Sequence, residues 1–311
     1  MTMYQVKDFV ETAQGLLFAV VDSVTESGRV LVYLRYQRHG LYWQKLSTEQ
    51  AYQYLQSQQP DYLWHSTRLD ADLQAVPQAD IVRHYRPRAG LASLLAQPPM
   101  DNIIVDLQHL CSLLQQKGIS MDSLGITGSC LLGLQQNSSD LDLVCYERRV
   151  FQALRQAVEQ LIIENHCHAL NDSDWLDAYQ RRGCQDLTLD DYIWHERRKF
   201  NKAMIHQRKF DISLVTPPTD PGRYFSKLGR VKLQAHVTDA SAAFDYPARF
   251  SIDHPDIRDI VCFTATYNGQ AQTGELIVAA GQLEADATGR QRLVIGSNRE
   301  ALGEYLRVLH V

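Results

Sequence analysis

The stretch Leu124 to Tyr146, LGITGSCLLGLQQNSSDLDLVCY, gathers residue types that handle phosphate and divalent cations. Gly128 and Ser129 form a tight turn ahead of a short apolar helix expected from Cys130 to Leu134. Glycine at this point lets the backbone approach a triphosphate with no Cβ in the way. Backbone N–H groups at the start of a helix add positive partial charge for anionic oxygens, and the Ser129 hydroxyl can donate to a phosphate oxygen. Asn137-Ser138-Ser139 then leads into Asp140-Leu141-Asp142-Leu143-Val144. On a strand, alternate residues share a face, so Asp140 and Asp142 project together while Leu141 and Leu143 point into a core. Carboxylates forced together repel; Mg²⁺ relieves that repulsion and keeps open positions for phosphate.

Phosphoryl transfer commonly uses a third acid to hold a second cation, about 3.5–4 Å from the first. Asp211 is the strongest candidate, an acid inside the β-forming run Lys209-Phe210-Asp211-Ile212-Ser213-Leu214-Val215. A strand carboxylate that is buried needs a partner, and a strand beside Asp140–Asp142 supplies one. Asp186, Asp190 and Asp191 also lie downstream and remain alternatives; their Leu-rich setting suits a helix cap and exposed acids better.

Gly128-Ser129, ten intervening residues, the Asp140-Leu141-Asp142 pair and a later strand acid at Asp211 resemble the polymerase-β nucleotidyltransferase superfamily. In texture the segment is most similar to its archaeal-type predicted and minimal nucleotidyltransferase groups. The resemblance spans roughly residues 100–215 of the chain. It implies an α+β catalytic domain with a mixed sheet, an NTP bound with Mg²⁺ (two ions), in-line attack of an acceptor hydroxyl on the α-phosphate, and release of pyrophosphate. By position, Gly128 and Ser129 would hold phosphate, and Asp140, Asp142 and Asp211 would hold metal and carry the catalysis.

His195 to Lys209 is a basic island, with Arg197, Arg198, Lys199, Lys202, Arg208 and Lys209 against the single acid Glu196. It suits either a grip on triphosphate or polyanionic acceptor, or a solvated helix face. Lys202, Arg208 and Lys209 are favoured as functional because they precede the Asp211 strand; Lys202 and Lys209 are taken as nucleotide-binding candidates. Lys227, Arg230 and Lys232 form a weaker second cluster. Trp194 and Tyr192 could stack a base, although helical spacing favours a core role. Tyr33, Arg35, Tyr36, Arg38, His39, Tyr42 and Trp43 mix aromatic and cationic groups, read mainly as packing. The acceptor expected first is an RNA or other nucleic-acid end. Alternatives are a protein or small-molecule acceptor and, from a different class, a non-catalytic nucleic-acid-binding protein that keeps the fold.

Three segments must position these residues. In the first, 1–98, Gly15 to Asp22 and Arg29 to Tyr36 read as a β-hairpin, Leu41 to Lys45 as a short strand, and Ser47 as the cap of a helix. Pro60, Pro77 and Pro87 mark the remainder as loop. The second, 99–245, carries a helix from Ile103 to a stop at Gly118, the strand Leu141–Tyr146, a helix from Arg149 to Asn165, a helical Tyr192–Phe200 and the Asp211 strand, which Pro217-Pro218 ends. The third, 246–311, is β-rich: Asp259–Tyr267, an Asn268-Gly269 hairpin turn, Glu275–Ala280 and Arg292–Gly296 suggest a small barrel or sandwich, with Ser297 capping a final helix through Leu306. The six cysteines form no CxxC pair, and His166-Cys167-His168 reads as a helix end rather than a zinc site. A net charge of −5, 45% hydrophobic residues and no long apolar run or signal-like N-terminus place the chain, as an expectation, among cytoplasmic globular proteins.

Overall fold

A continuous apolar run, Leu16 to Val20, forms a central strand of the N-terminal antiparallel sheet. The computed structural model describes residues 4–182, 186–217, 224–298 and 301–309. β1 (Phe9–Thr12), β2 (Leu16–Val20), β3 (Arg29–His39) and β4 (Tyr42–Lys45) are followed by α1 (Thr48–Gln58), then β5 (Leu63–Ser66), β6 (Ala71–Pro77) and β7 (Ile81–Tyr85). The expected hairpin is present as β2 paired antiparallel to β3, and Ser47 caps α1 through a reciprocal capping box with Gln50. Residues expected as Pro-punctuated loop instead form β5, β6 and β7, giving seven strands in the order β5-β6-β3-β2-β1-β7 with β4 beside β3. The prolines sit at permitted edges: Pro77 closes β6, and Pro87 opens α2 (Pro87–Leu95) at its first turn. Both faces of the sheet are buried. Leu16, Phe18 and Val20 pack with α1 residues Ala51 and Leu55, whereas Leu17 joins Phe9 and Tyr36 against Leu131, Leu132 and Leu134.

α3 (Asn102–Gln116), β8 (Leu124–Ile126), α4 (Gly128–Leu132), β9 (Leu141–Cys145) and α5 (Arg148–Ile163) follow; α3, β9 and α5 keep close to the expected bounds, α4 begins two residues early, and β8 is a strand not anticipated from the sequence. Asp101 caps α3 by accepting from the N–H groups of Ile103 and Ile104. α2 lies tight on β8: a Cβ on Gly125 would stand 2.7 Å from the Pro87 carbonyl carbon. α6 (Asp172–Arg182) and α7 (Leu189–Arg197) lead to β10 (Lys202–Ile205) and β11 (Arg208–Leu214). The second sheet runs β10-β11-β9-β8 and is mixed: β9 and β11 are parallel, β8 and β9 antiparallel.

The third sheet comprises β12 (Phe225–Asp239), β13 (Ala248–Ile252), β14 (Ile257–Cys262), β15 (Leu276–Asp286), β16 (Gln291–Ile295) and β17 (Tyr305–Val308). Its order is β12-β13-β14-β16-β15-β17, and an added β12–β15 pairing closes the first five strands into a ring, the connectivity of a small barrel. Two expectations are corrected here. Asn268-Gly269 does not join a hairpin: β14 pairs with β13 and, in parallel, with β16, while the Gly269 N–H is spent on the Ala243 carbonyl. The final helix is also not formed over its second half, since β17 pairs with β15 and buried Glu304 accepts from the Ser297 N–H at 2.9 Å, folding the segment back. Pro218, expected to help end the Asp211 strand, and Cys184, one of the six cysteines, lie outside the described residues.

The molecule is of the α+β class. Its chain divides into two compact units, Met1–Ser66 with Asp72–Cys167 and Met204–Pro221, and Thr67–Ala71 with His168–Ala203 and Gly222–Val311. This division does not follow the boundaries at 98 and 245: the N-terminal sheet shares a unit with β8, β9 and β11, and β12 belongs with the C-terminal sheet. No helix among the described residues is long and apolar enough to cross a membrane.

Candidate active site

β9 and β11 build the floor of the site. Leu141, Leu143, Phe210 and Ile212 are fully buried, so the alternate residues Asp142 and Asp211 face the other way. The parallel register places Asp211 directly beside Asp142; neighbouring strands lie about 4.8 Å apart, so the two carboxylates are adjacent on one face. Asp140, one step before β9, lies on the same side. Its Oδ2 accepts from Lys209 Nζ at 2.8 Å, as continuing the Phe210–Leu141 pairing back by one residue demands.

Charge at this face is crowded. Burial, and after it the negative charge of Asp211, pushes the Asp142 carboxyl up from 3.8 to about 6; Asp140 adds to the rise, while the ammonium groups of Lys7 and Lys209 oppose it. Among the described residues no three His, Cys, Asp or Glu side chains are gathered closely enough to hold a metal ion as they stand. Asp142 and Asp211 are thus neighbours, with Asp140 turned to Lys209.

The Gly128 turn abuts these acids. Gly128 has φ +66°, and a Cβ there would stand 2.6 Å from Asp142 Oδ2. Glycine is required twice over, by the left-handed backbone and by the carboxylate. Ser129 follows in the first turn of α4, whose N-cap residue Thr127 makes no side-chain cap. Thr127 instead ties three parts together: its N–H donates to the Asp142 carbonyl at 2.9 Å, and its hydroxyl donates to the Lys7 carbonyl at 2.7 Å. The N-terminal sheet thereby reaches the site. Tyr36, from β3, is near enough that the charge of Asp142 helps to raise its phenol, after the larger effect of its own burial.

The basic island resolves into ion pairs. Lys209 reaches Asp140. Arg208 donates to Asp106 at 2.7 Å and to the carbonyls of Asn137 and Ser139 at 2.9 and 2.8 Å, anchoring the loop that delivers Asp140. The Lys202 ammonium pairs with Glu196, which also takes Lys199 at 2.5 Å. Glu196 is held well below the ordinary carboxylate range by these cations against the opposing effect of burial, and burial drives Lys199 down to about 8. Arg197 pairs with Asp172, and Arg198 with Glu275. Asp190 and Asp191 lie in the first turn of α7, where the Asp191 N–H donates to the capping Thr188; with Asp186 they belong to the second unit. Tyr192 is core, packed edge-on against Trp175. Trp194, under the Arg198 guanidinium at 4.4 Å, lines a cavity of about 1070 Å³ with Phe200 and Ile193. Lys7 and Thr127 were not singled out by sequence: their contact spans 120 residues, and neither stands in a local motif.

No family model matches the chain, and no solved structure does. It is 30% identical, over 98% of its own length and 98% of the other's, to the Uncharacterized protein MJ1086 of Methanocaldococcus jannaschii. The chain belongs to the family that includes this archaeal protein.

Proposed function

We propose that the protein is a Mg²⁺-dependent nucleotidyltransferase of the polymerase-β type, moving a nucleoside monophosphate from an NTP to an acceptor hydroxyl. The observation that carries this reading is the in-register pair Asp142–Asp211 on parallel strands, with the bare Cα of Gly128 against the Asp142 carboxylate. The donor set fits a hard divalent cation: all-oxygen, multiply anionic, and with one carboxyl already raised by burial and then by its acidic neighbours. Asp142 and Asp211, with Asp140, would hold it, and when bound it would neutralise phosphate charge and favour the attacking hydroxyl. The chain's own groups do the rest. The Gly128 turn admits phosphate close to the backbone, Ser129 offers a hydroxyl donor, and Lys209 supplies a cation beside Asp140 that can turn to a phosphate oxygen.

An RNA or other nucleic-acid end is the first acceptor to test. A protein or small-molecule hydroxyl is the second reading, favoured by one observation: Arg197, Arg198, Lys199, Lys202 and Arg208 are each engaged by an acid, which leaves the island a poor grip on a nucleic-acid backbone. Incubation with each α-labelled NTP, Mg²⁺ and separate RNA, protein and small-alcohol pools tests both. Label in one pool that disappears with Asp142→Asn is expected; release of no pyrophosphate with any pool counts against the reading.

A further inference from the structure

Resting on the nucleotidyltransferase reading, we infer that Lys7, from the N-terminal sheet region, is a triphosphate-binding residue of the same site. Four observations converge on it. Lys7 holds a left-handed backbone at φ +77° although it carries a side chain, a conformation that persists where the surroundings impose it and that clusters at functional sites. The surroundings do impose it: its N–H donates to the Val20 carbonyl at 3.1 Å, its carbonyl accepts from Thr127 Oγ1 at 2.7 Å, and the Asp8 N–H closes the turn on Gln5 at 3.0 Å. Thr127 is the residue directly before the Gly128-Ser129 turn, so the strained residue is pinned to the segment that would meet phosphate. Finally, the charge of its ammonium is felt at Asp142, yet Lys7 makes no ion pair with any described residue.

This contrasts with the basic island, whose cations are paired with acids. A partly exposed ammonium beside clustered carboxylates, without a partner of its own, suits a polyanion that arrives with divalent cations. The turn before the N-terminal sheet is then part of the active site through its tie to Thr127, and Lys7 grips the phosphate tail rather than the base.

The test measures dissociation constants for the four NTPs and for inorganic triphosphate, each with Mg²⁺, by calorimetry on wild type, Lys7→Gly, Lys7→Asn and Lys7→Arg. Glycine and asparagine both accept the left-handed backbone, so these variants keep the fold, and melting temperatures at or above that of wild type verify it. Lys7→Gly and Lys7→Asn are expected to bind NTP about 10- to 100-fold more weakly, the loss of one charge-assisted contact. Inorganic triphosphate should lose affinity by the same factor, and Lys7→Arg should restore most of it. Wild-type binding with unchanged affinity in Lys7→Gly and Lys7→Asn overturns the assignment of Lys7 alone. Failure of wild type to bind any of the five probes overturns the nucleotidyltransferase reading itself.

Discussion

Replacing Asp142 with asparagine should stabilise the metal-free protein while disabling the site. The Asp142 carboxyl rises from 3.8 to about 6 because burial and then Asp211 penalise its charged form. A shift of about two units corresponds to about 3 kcal/mol at most. Asp142 keeps some solvent contact, so about 1–2 kcal/mol is the usable figure after screening. The sign follows from linkage. With the folded value above the unfolded one, the native state binds the proton more tightly; the group's stabilising contribution is whole below about pH 4 and is lost as pH rises through about 6. An asparagine side chain in this place mimics the protonated form at every pH. Thermal melts in chelator should therefore show little difference between the two proteins near pH 4 and a variant melting higher by about 2–8 °C at pH 7.5, using about 2–4 °C per kcal/mol for a unit of this size. A variant less stable than wild type at pH 7.5, or an offset that ignores pH, would refute the crowding of charge on which the site rests.

Gly128→Ala should destabilise by about 1–3 kcal/mol in melts, since it adds left-handed strain to a 2.6 Å clash with Asp142 Oδ2, and should also lose NTP binding. Gly125→Ala, which meets the Pro87 backbone instead, should cost stability while nucleotide affinity per folded molecule is retained. Lys209→Met should shift stability by less than about 1 kcal/mol, because Asp140 is 38% exposed, yet raise KM for NTP; a larger stability loss with KM intact reverses that assignment. Glu196→Ala removes the buried acid that Lys199 and Lys202 share and should cost about 3–5 kcal/mol in denaturant unfolding; a loss under about 1 kcal/mol would show that this pairing contributes little to the fold.

Much of the site was legible because its signals are local. The Gly128-Ser129 turn, the alternation Asp140-Leu141-Asp142-Leu143 and the apolar flanks of Asp211 each declare a backbone state within a few residues. The apolar flanks placed Asp211 on a strand beside Asp140–Asp142, while the parallel direction and the Asp211–Asp142 register of that pairing come from the fold. What escaped was non-local. β5, β6 and β7 are short and bounded by prolines that mark loops by composition but here occupy strand and helix ends. Asn268-Gly269 carries a hairpin signature, yet the ring closure of β14 on β16 outweighs it. Lys202 was valued for its nearness in sequence to Asp211; its pairing with buried Glu196 is a contact that no local motif announces. Lys7 gives no motif at all and is recognised only through Thr127 and its backbone angle.

Manganese bound to the protein can be counted directly by paramagnetic resonance, in the presence and absence of a non-hydrolysable NTP, for wild type, Asp142→Asn and Asp211→Asn. Wild type should take up Mn²⁺ more tightly when the nucleotide is present, and each substitution should weaken that uptake by an order of magnitude or more while the fold survives in melts. Equal uptake by all three proteins would contradict the claim that the neighbouring carboxylates of β9 and β11 are a cation site.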